Sequence, residues 1–251
     1  MNDDKGSLDI LGVKPIADSI NTVTKGTVDG ASAFLSRICL PAADEFGLLL
    51  KDKVSSWRAN NAVEIANKAS DLINDDEEVH AHPKIAWATI EHGSWAEDEI
   101  LQNMWAGLLA TGCTEDGKDE SNLILINLLS QLTSNQVKLI EYLAIKSEVF
   151  ITQAGWIGAF PYYMELDELI EVMEISDFHR IDRELDHLRS LELITNGFSQ
   201  DSTEANVTPT ALCLHLYTRG KGYVSSPSEY FEAPVKSKKE LDSEFNKRFK
   251  D

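Results

Sequence analysis

Residues 91–112 read EHGSWAEDEILQNMWAGLLATG, in which a polar head precedes an apolar run. The head places a histidine, a serine and four carboxylates within nine residues, a combination that nucleophilic hydrolases use. However, Ser94 and Glu97 also form the S-x-x-E pattern of a capping box, which satisfies free N–H groups at a helix start. Three of the carboxylates, Glu97, Asp98 and Glu99, then fall in the first helical turn, where the helix dipole favours negative charge. This spacing favours a helix start over a catalytic cluster.

The apolar run that follows has the i, i+3, i+4, i+7, i+8 spacing of a buried helical stripe. Its members are Leu101, Met104, Trp105, Leu108 and Leu109. We therefore predict that one helix ends at Gly93 and that an amphipathic helix follows and stops at Gly112. Ser94 and Glu97 are the predicted capping signature of this second helix.

A second helical pattern, roughly 30 residues long, precedes this stretch. That length is unusual for a globular helix, so it favours packing against a partner helix or another subunit. We expect its apolar stripe to supply an oligomer or partner surface formed by Phe46, Leu49, Leu50, Val54 and Trp57.

The C-terminal half has a different organisation. Thr133 and Gln136 form another capping-box pattern, and two more helical patterns follow. The third helix of this half carries Phe178, Ile181, Leu185, Leu188 and Leu191 on its predicted inner face. Two short strands separated by the polar turn SQDSTEAN come next, and this is the element order of a winged helix-turn-helix.

The predicted fold class is therefore mainly α. An N-terminal helical domain with a long amphipathic helix precedes a winged helix-turn-helix-like domain with a small β wing. The predicted divisions are a flexible arm over 1–25, the helical domain over 26–132, the winged-helix-like domain over 133–222 and a C-terminal tail over 223–251.

The charge balance disfavours nucleic acid as a partner. Forty-two acidic residues against 23 basic ones give a formal charge of −19, which repels phosphate backbones. The helix that would enter a DNA groove holds Arg180, Arg183 and Arg189, but the acidic residues around them outnumber these arginines. We therefore expect the winged helix to contact protein, and DNA binding is the alternative.

No pattern in the sequence predicts a catalytic residue, a cofactor or a metal ion. The usual nucleotide-binding and hydrolase motifs are absent from the sequence, and His80 and His82 form an H-x-H pair without a clear third ligand. Three widely separated cysteines fit reduced thiols, and the N-terminus has no secretory signature, so we expect a cytoplasmic protein. Charged residues interrupt the apolar segment within 30–50, which leaves membrane association possible but not favoured.

The chain resembles the Abi-alpha (abortive infection alpha) family of bacteria over about residues 30–220. The phrases that carry the resemblance include EDEILQNMWAGLLA, QLTSNQVKLI and the pair LRSLELI and VTPTALCLHLYTRG. The resemblance implies a link to abortive infection, in which an infected cell stops growing or dies before phage can spread, and it supplies no catalytic residues. The expected function is thus a non-enzymatic phage-defence protein acting through protein contacts or oligomerisation. A DNA-binding transcription regulator and a membrane-acting effector are the alternatives.

Overall fold

The computed structural model describes residues 25–42, 56–74, 78–199 and 201–248. These residues are mostly helical with small sheets, so the predicted mainly α class is confirmed. Two compact units divide between Ile126 and Asn127, and each is described by itself.

The N-terminal unit is built on helices and one short β ladder. Antiparallel pairing joins strands β1 and β2, with His80 opposite Thr114 and Ala81 opposite Cys113. The elements in chain order are α1 (Lys25–Ile38), α2 (Ser56–Asp71), β1 (His80–Ala81), α3 (Pro83–Gly93), α4 (Glu99–Thr111), β2 (Cys113–Thr114) and α5 (Leu123–Leu129), the last of which runs across the division.

Helix α2 is the centre of this unit because it packs against α1, α3 and α4. Its buried face is rich in alanine, which has the highest helix propensity and lets neighbouring helices approach closely. The fully buried members of this face are Ala59, Ala62, Ile65, Ala66 and Ala69. Of the predicted partner surface, only Trp57 falls on α2, whereas Phe46, Leu49, Leu50 and Val54 lie outside the described residues.

The predicted helix end at Gly93 and helix stop at Gly112 are both confirmed. The predicted capping signature between them is wrong. Helix α4 begins at Glu99, and its N-cap is Asp98, whose carboxylate accepts a hydrogen bond of 3.0 Å from the N–H of Ile100. Ser94 instead follows α3 as its C-cap and is completely buried, while Glu97 is exposed in the connecting loop.

The C-terminal unit combines helices with two small sheets. Its elements are α6 (Ser134–Lys146), β3 (Val149–Thr152), β4 (Ile157–Ala159), β5 (Tyr163–Glu165), α7 (Leu166–Met173), α8 (Phe178–Ser190), β6 (Glu204–Asn206), α9 (Ala211–Gly220), α10 (Pro227–Tyr230), β7 (Val235–Lys236) and α11 (Lys238–Arg248). Strand β3 lies between antiparallel β4 and parallel β7, and β5 pairs antiparallel with β6. Helix α6 packs against α7 and α9.

The capping box predicted at the start of α6 is confirmed. The N–H of Gln136 donates to the Thr133 hydroxyl oxygen at 3.2 Å, and the Thr133 N–H donates to the Gln136 side-chain oxygen at 3.0 Å. Unlike the serine of the earlier pattern, Thr133 keeps its side chain at the helix start.

Helix α8 buries most but not all of its predicted inner face. Ile181, Leu185 and Leu188 are fully buried, whereas Phe178 is 54 % exposed at the first position of the helix. The prediction for Phe178 was therefore wrong, because the apolar stripe begins only one turn later.

The last part of the chain is a docked extension. Strand β7 adds to β3, and the ring of Phe245 in α11 lies 5.2 Å from Phe160 and 6.1 Å from Phe150 between ring centres. Lys236 forms an ion pair of 2.7 Å with Glu244, which ties β7 to α11.

Candidate interaction surface

Two exposed tryptophans meet on the surface of the N-terminal unit. Trp57 in the first turn of α2 and Trp95 in the loop after α3 are 38 % and 59 % exposed. Their ring centres are 5.9 Å apart in an edge-to-face arrangement. We call Trp57 and Trp95 the tryptophan pair.

Arg58 holds one member of this pair in place. Its guanidinium lies 4.2 Å from the centre of the Trp95 ring, which is a cation–π contact. The same guanidinium forms an ion pair of 3.1 Å with the Glu91 carboxylate, and its Nη2 donates to the Glu91 carbonyl at 3.2 Å. Because the Arg58 side chain is only 16 % exposed, this ion pair is less screened by water than a surface pair.

Ser94 lies behind the arginine. Its Oγ accepts hydrogen bonds from Arg58 Nε at 3.0 Å and from Nη2 at 2.9 Å, and its hydroxyl donates to the Glu91 carbonyl at 3.1 Å. Its own carbonyl accepts from Asn61 Nδ2 at 3.0 Å. This network explains why Ser94 does not cap α4: its oxygen is already used by a residue of α2.

Gln102 completes the support of the loop that carries Trp95. Its side-chain nitrogen donates to the Ala96 carbonyl at 3.0 Å and lies 3.5 Å from the Asn61 side-chain oxygen. Both Gln102 and Asn61 are buried, so the loop is fixed from inside by hydrogen bonds of helices α2 and α4. The tryptophan pair is thus presented on a fixed backbone.

The buried and exposed groups of this cluster differ in character. The Ser94 hydroxyl is inaccessible and bound on both sides, and the His92 ring stacks on Trp105 with ring centres 6.2 Å apart. What faces solvent is aromatic surface with a partly exposed Glu91 carboxylate beside it. Exposed tryptophans on a fixed support are typical anchors of protein interfaces.

Of these three residues, Trp57 was predicted to lie at a partner surface, whereas Trp95 and Arg58 were not predicted. Trp57 was expected there as part of a long apolar stripe, but its neighbours in the structure are Trp95 and Arg58. The available signal was that Trp95 falls outside the apolar spacing of both adjoining helices. For Arg58 the sequence offers no local signal, because its partners lie more than 30 positions away.

The histidine pair is engaged by other groups. His82 is the N-cap of α3: its Nδ1 accepts from the Lys84 N–H at 3.2 Å, and its Nε2 lies 3.2 Å from the Glu120 carboxylate. His80 is paired in β1. Within the described residues, no group of three or more histidine, cysteine or acidic side chains could hold a metal ion.

The three cysteines are buried and free of disulfides. Burial raises the pKa of the Cys113 thiol to about 12, although Arg37 opposes this change. Burial alone raises the pKa of Cys213 to about 12. Both thiols are therefore protonated at neutral pH and unsuited to nucleophilic attack.

The arginines of α8 are partly neutralised by the helix itself. Arg180 Nε lies 3.4 Å from Glu184 and its Nη2 donates to Asn135, while Arg189 pairs with Asp186 at 2.7 Å.

None of the helices that the structure describes is long and apolar enough to cross a membrane.

Comparison with known proteins identifies the family of the chain. No curated protein and no solved structure matches the chain. The family described as abortive infection alpha matches residues 58–212, which is more than half of the chain and includes Arg58, Trp95 and helix α8. The chain therefore belongs to the abortive infection alpha family.

Proposed function

We propose that the protein is a non-enzymatic component of phage defence that acts through contacts with another protein, and that the tryptophan pair is its principal contact. Family membership supports the link to abortive infection. The observation that supports this contact surface is that Trp57 and Trp95 are exposed to solvent while the Arg58 network holds Trp95 in place.

Physical arguments support a protein partner at this surface. Burying two tryptophan rings removes a large apolar area from water, at about 25 cal/mol per Å². Their backbone is held before binding, so little conformational entropy is lost when a partner docks. The formal charge of −19 favours a partner with basic residues near an apolar patch.

The central experiment is a phage challenge of cells that express the chain. We expect the wild-type protein to lower plaque counts for at least one phage of a broad panel, and the double variant Trp57→Ala, Trp95→Ala to lose this protection. The matched control is Trp156→Ala, which removes an exposed tryptophan from the C-terminal unit. The abundance and melting temperature of each variant are measured in parallel, because Trp95 also supports Arg58.

Two results would contradict the proposal. Absence of protection by the wild-type chain across the panel would remove the defence role. Full protection by the double variant at wild-type abundance would remove the tryptophan pair as the contact. Trp57→Ala alone separates contact from stability, since it leaves the stack of Arg58 on Trp95 intact.

Self-association through the same surface is the simplest form of protein contact. Light scattering after size-exclusion chromatography would then give a mass that falls toward the monomer when Trp57 is replaced by alanine. A strict monomer at high concentration would leave only contacts with a different protein.

We further propose that the C-terminal unit is a winged helix, and the order of its elements supports this assignment. Helices α6, α7 and α8 are followed by a turn whose sides are bridged at Ile194 and Pro209 and at Phe198 and Ala205. Strand β5, which lies between α6 and α7, pairs with β6 of the wing. Arg180 and Arg189 are paired with acidic side chains of the same helix, which supports a protein-binding role for the winged helix.

DNA binding is the second candidate, because α8 occupies the position of a groove-reading helix. Fluorescence anisotropy with a labelled duplex at low salt tests it, since the electrostatic attraction is strongest there. We expect no binding by the wild-type chain. Binding that weakens in Arg183→Ala would favour the transcription-regulator alternative.

A further inference from the structure

A cavity of about 360 Å³ opens beside the first turn of α8, apart from the tryptophan pair. Its apolar walls are the rings of Phe178 and Phe198 and the side chain of Leu166. Polar side chains at its margin include Asp182 and Ser202. We call this the α8 cavity, and its size is within the range of small-ligand sites.

The exposure of Phe178 is the first indication that the cavity binds a ligand. It is a large apolar residue that stays 54 % exposed although the next positions of the helical stripe are fully buried. The centre of its ring lies 4.0 Å from that of His179 at a tilt of 38°, and both residues line the cavity. The Phe178 ring is therefore available to a ligand in the cavity.

Asp182 is the second indication. Its carboxylate forms no hydrogen bond or ion pair with any side chain in the described part of the chain. Two arginines of the helix are used elsewhere: Arg180 by Glu184 and Asn135, and Arg189 by Asp186. Arg183 is exposed next to Asp182 in the sequence and forms no ion pair with it in the described part of the chain. The cavity thus carries a carboxylate without an ion pair next to aromatic surface.

The N-terminus of α8 does not make the cavity attractive to anions. A free helix N-terminus attracts anions, but here the Asp177 carboxylate already accepts hydrogen bonds from the N–H groups of His179 at 3.0 Å and Arg180 at 3.3 Å. An incoming anion would meet the carboxylates of both Asp177 and Asp182. A cation would meet a carboxylate and two aromatic rings.

From this combination we infer that the α8 cavity binds an organic cation, an alkylammonium or guanidinium group with apolar substituents. The rings of Phe178 and Phe198 attract the cation through their π-faces and cover its apolar substituents. The carboxylate of Asp182 supplies the counter-charge. Ser202 at the margin of the cavity offers a hydroxyl group to a polar group of the ligand, such as the hydroxyl of choline.

The test uses choline as a probe and, as its matched control, the neutral analogue in which carbon replaces the ammonium nitrogen. Binding to the full chain is followed by NMR through the resonances of Phe178 and Phe198 at about 0.15 M salt, where long-range charge effects are screened. We expect choline to shift these resonances to saturation and the neutral analogue to bind roughly five to ten times more weakly. Equal affinity of the chain for choline and for the neutral analogue would overturn the inference.

Variants locate the site. Asp182→Asn and Phe178→Leu should each weaken choline binding by roughly threefold to tenfold. Asp186→Asn is the matched control, because this aspartate lies one turn further along the same helix and pairs with Arg189. If Asp186→Asn weakened binding as much as Asp182→Asn, the attraction would come from the acidic protein as a whole, and the proposed site would be wrong. Phe178 and Asp182 are both exposed, so these substitutions are compatible with the native fold.

The cation can belong to a free small molecule or to a basic side chain of a protein. Blocked lysine and arginine amides, compared with choline, distinguish the two sources. Tighter binding of a blocked amino acid assigns the cavity to a basic side chain, and tighter binding of choline assigns it to a free quaternary ammonium compound. Failure of all three probes would contradict the inference.

Discussion

Arg58 Nε lies 3.0 Å from Ser94 Oγ, although 36 positions separate the two residues in the chain. This contact joins the start of α2 to the loop after α3, and it places the Arg58 guanidinium beneath Trp95. Because Ser94 is completely buried, its hydroxyl has exchanged water for this arginine. The contact links the stability of the N-terminal unit to the exposure of its tryptophan pair.

Replacement of Ser94 by alanine tests this link. Ser94→Ala removes the acceptor of two Arg58 N–H groups, so we expect a loss of roughly 1–3 kcal/mol in the free energy of unfolding. Urea denaturation followed by tryptophan fluorescence measures it. Ser190→Ala, at an exposed serine of α8, is the control and should stay within about 0.5 kcal/mol of wild type.

A double-mutant cycle tests whether the loss of stability comes from the interaction between Arg58 and Ser94. If Arg58 and Ser94 act together, Ser94→Ala should cost much less in an Arg58→Met background, with a coupling of about 0.5–3 kcal/mol. Additive losses would show that Ser94 stabilises the loop without the help of Arg58.

Two adjacent acidic residues distinguish the observed helix start from the capping box that the sequence suggests. Asp98→Ala removes the N-cap of α4 and should cost about 0.5–2 kcal/mol, whereas Glu97→Ala should change stability by less than about 0.5 kcal/mol. Thermal and urea unfolding of the two variants give the comparison. A larger loss for Glu97→Ala than for Asp98→Ala would restore the capping box.

Two helical glycines should respond to alanine with opposite signs. A Cβ at Gly93 would lie 2.9 Å from Ile65 Cδ1 and 3.1 Å from the Trp105 ring, so Gly93→Ala should destabilise by roughly 1–3 kcal/mol through overpacking. At Gly30 in α1, which is exposed, the nearest atom would be 3.7 Å away. Gly30→Ala should therefore stabilise the protein by about 0.5–1 kcal/mol because alanine restricts the unfolded chain and favours the helix. Melting temperatures that shift in the same direction would contradict this reasoning.

Burial of Cys213 predicts a loss of stability in alkali. The pKa of its thiol is raised from 9.0 to about 12, so the folded state holds the proton more tightly than the unfolded state. The resulting stabilisation is complete below pH 9 and declines as the pH rises toward about 12. We expect the free energy of unfolding of the wild type to fall more steeply over this range than that of Cys213→Ala. Parallel pH profiles would show that the thiol stays protonated or ionises equally in both states.

Much of the helical framework was predictable because helix formation depends on local spacing. The apolar stripe that ends at Gly112 and the capping box at Thr133 both rest on residues within one or two turns of each other. The hairpin formed by β3 and β4 was missed, since its strands of four and three residues are too short to show alternation. Phe178 was assigned to the buried face because the apolar spacing of α8 continues back to it. Spacing alone does not show at which residue burial begins.

The sequence by itself determined that a helix would end at Gly93, that another would stop at Gly112 and that polar residues would separate them. It also carried the relationship to the abortive infection alpha family. Only the tertiary structure decided which polar residue caps the second helix. Ser94 has the right local pattern, but the partly buried guanidinium of Arg58 from α2 competes for its oxygen, and a charged donor forms the stronger hydrogen bond. That long-range contact leaves the cap to Asp98 and presents Trp95 beside Trp57.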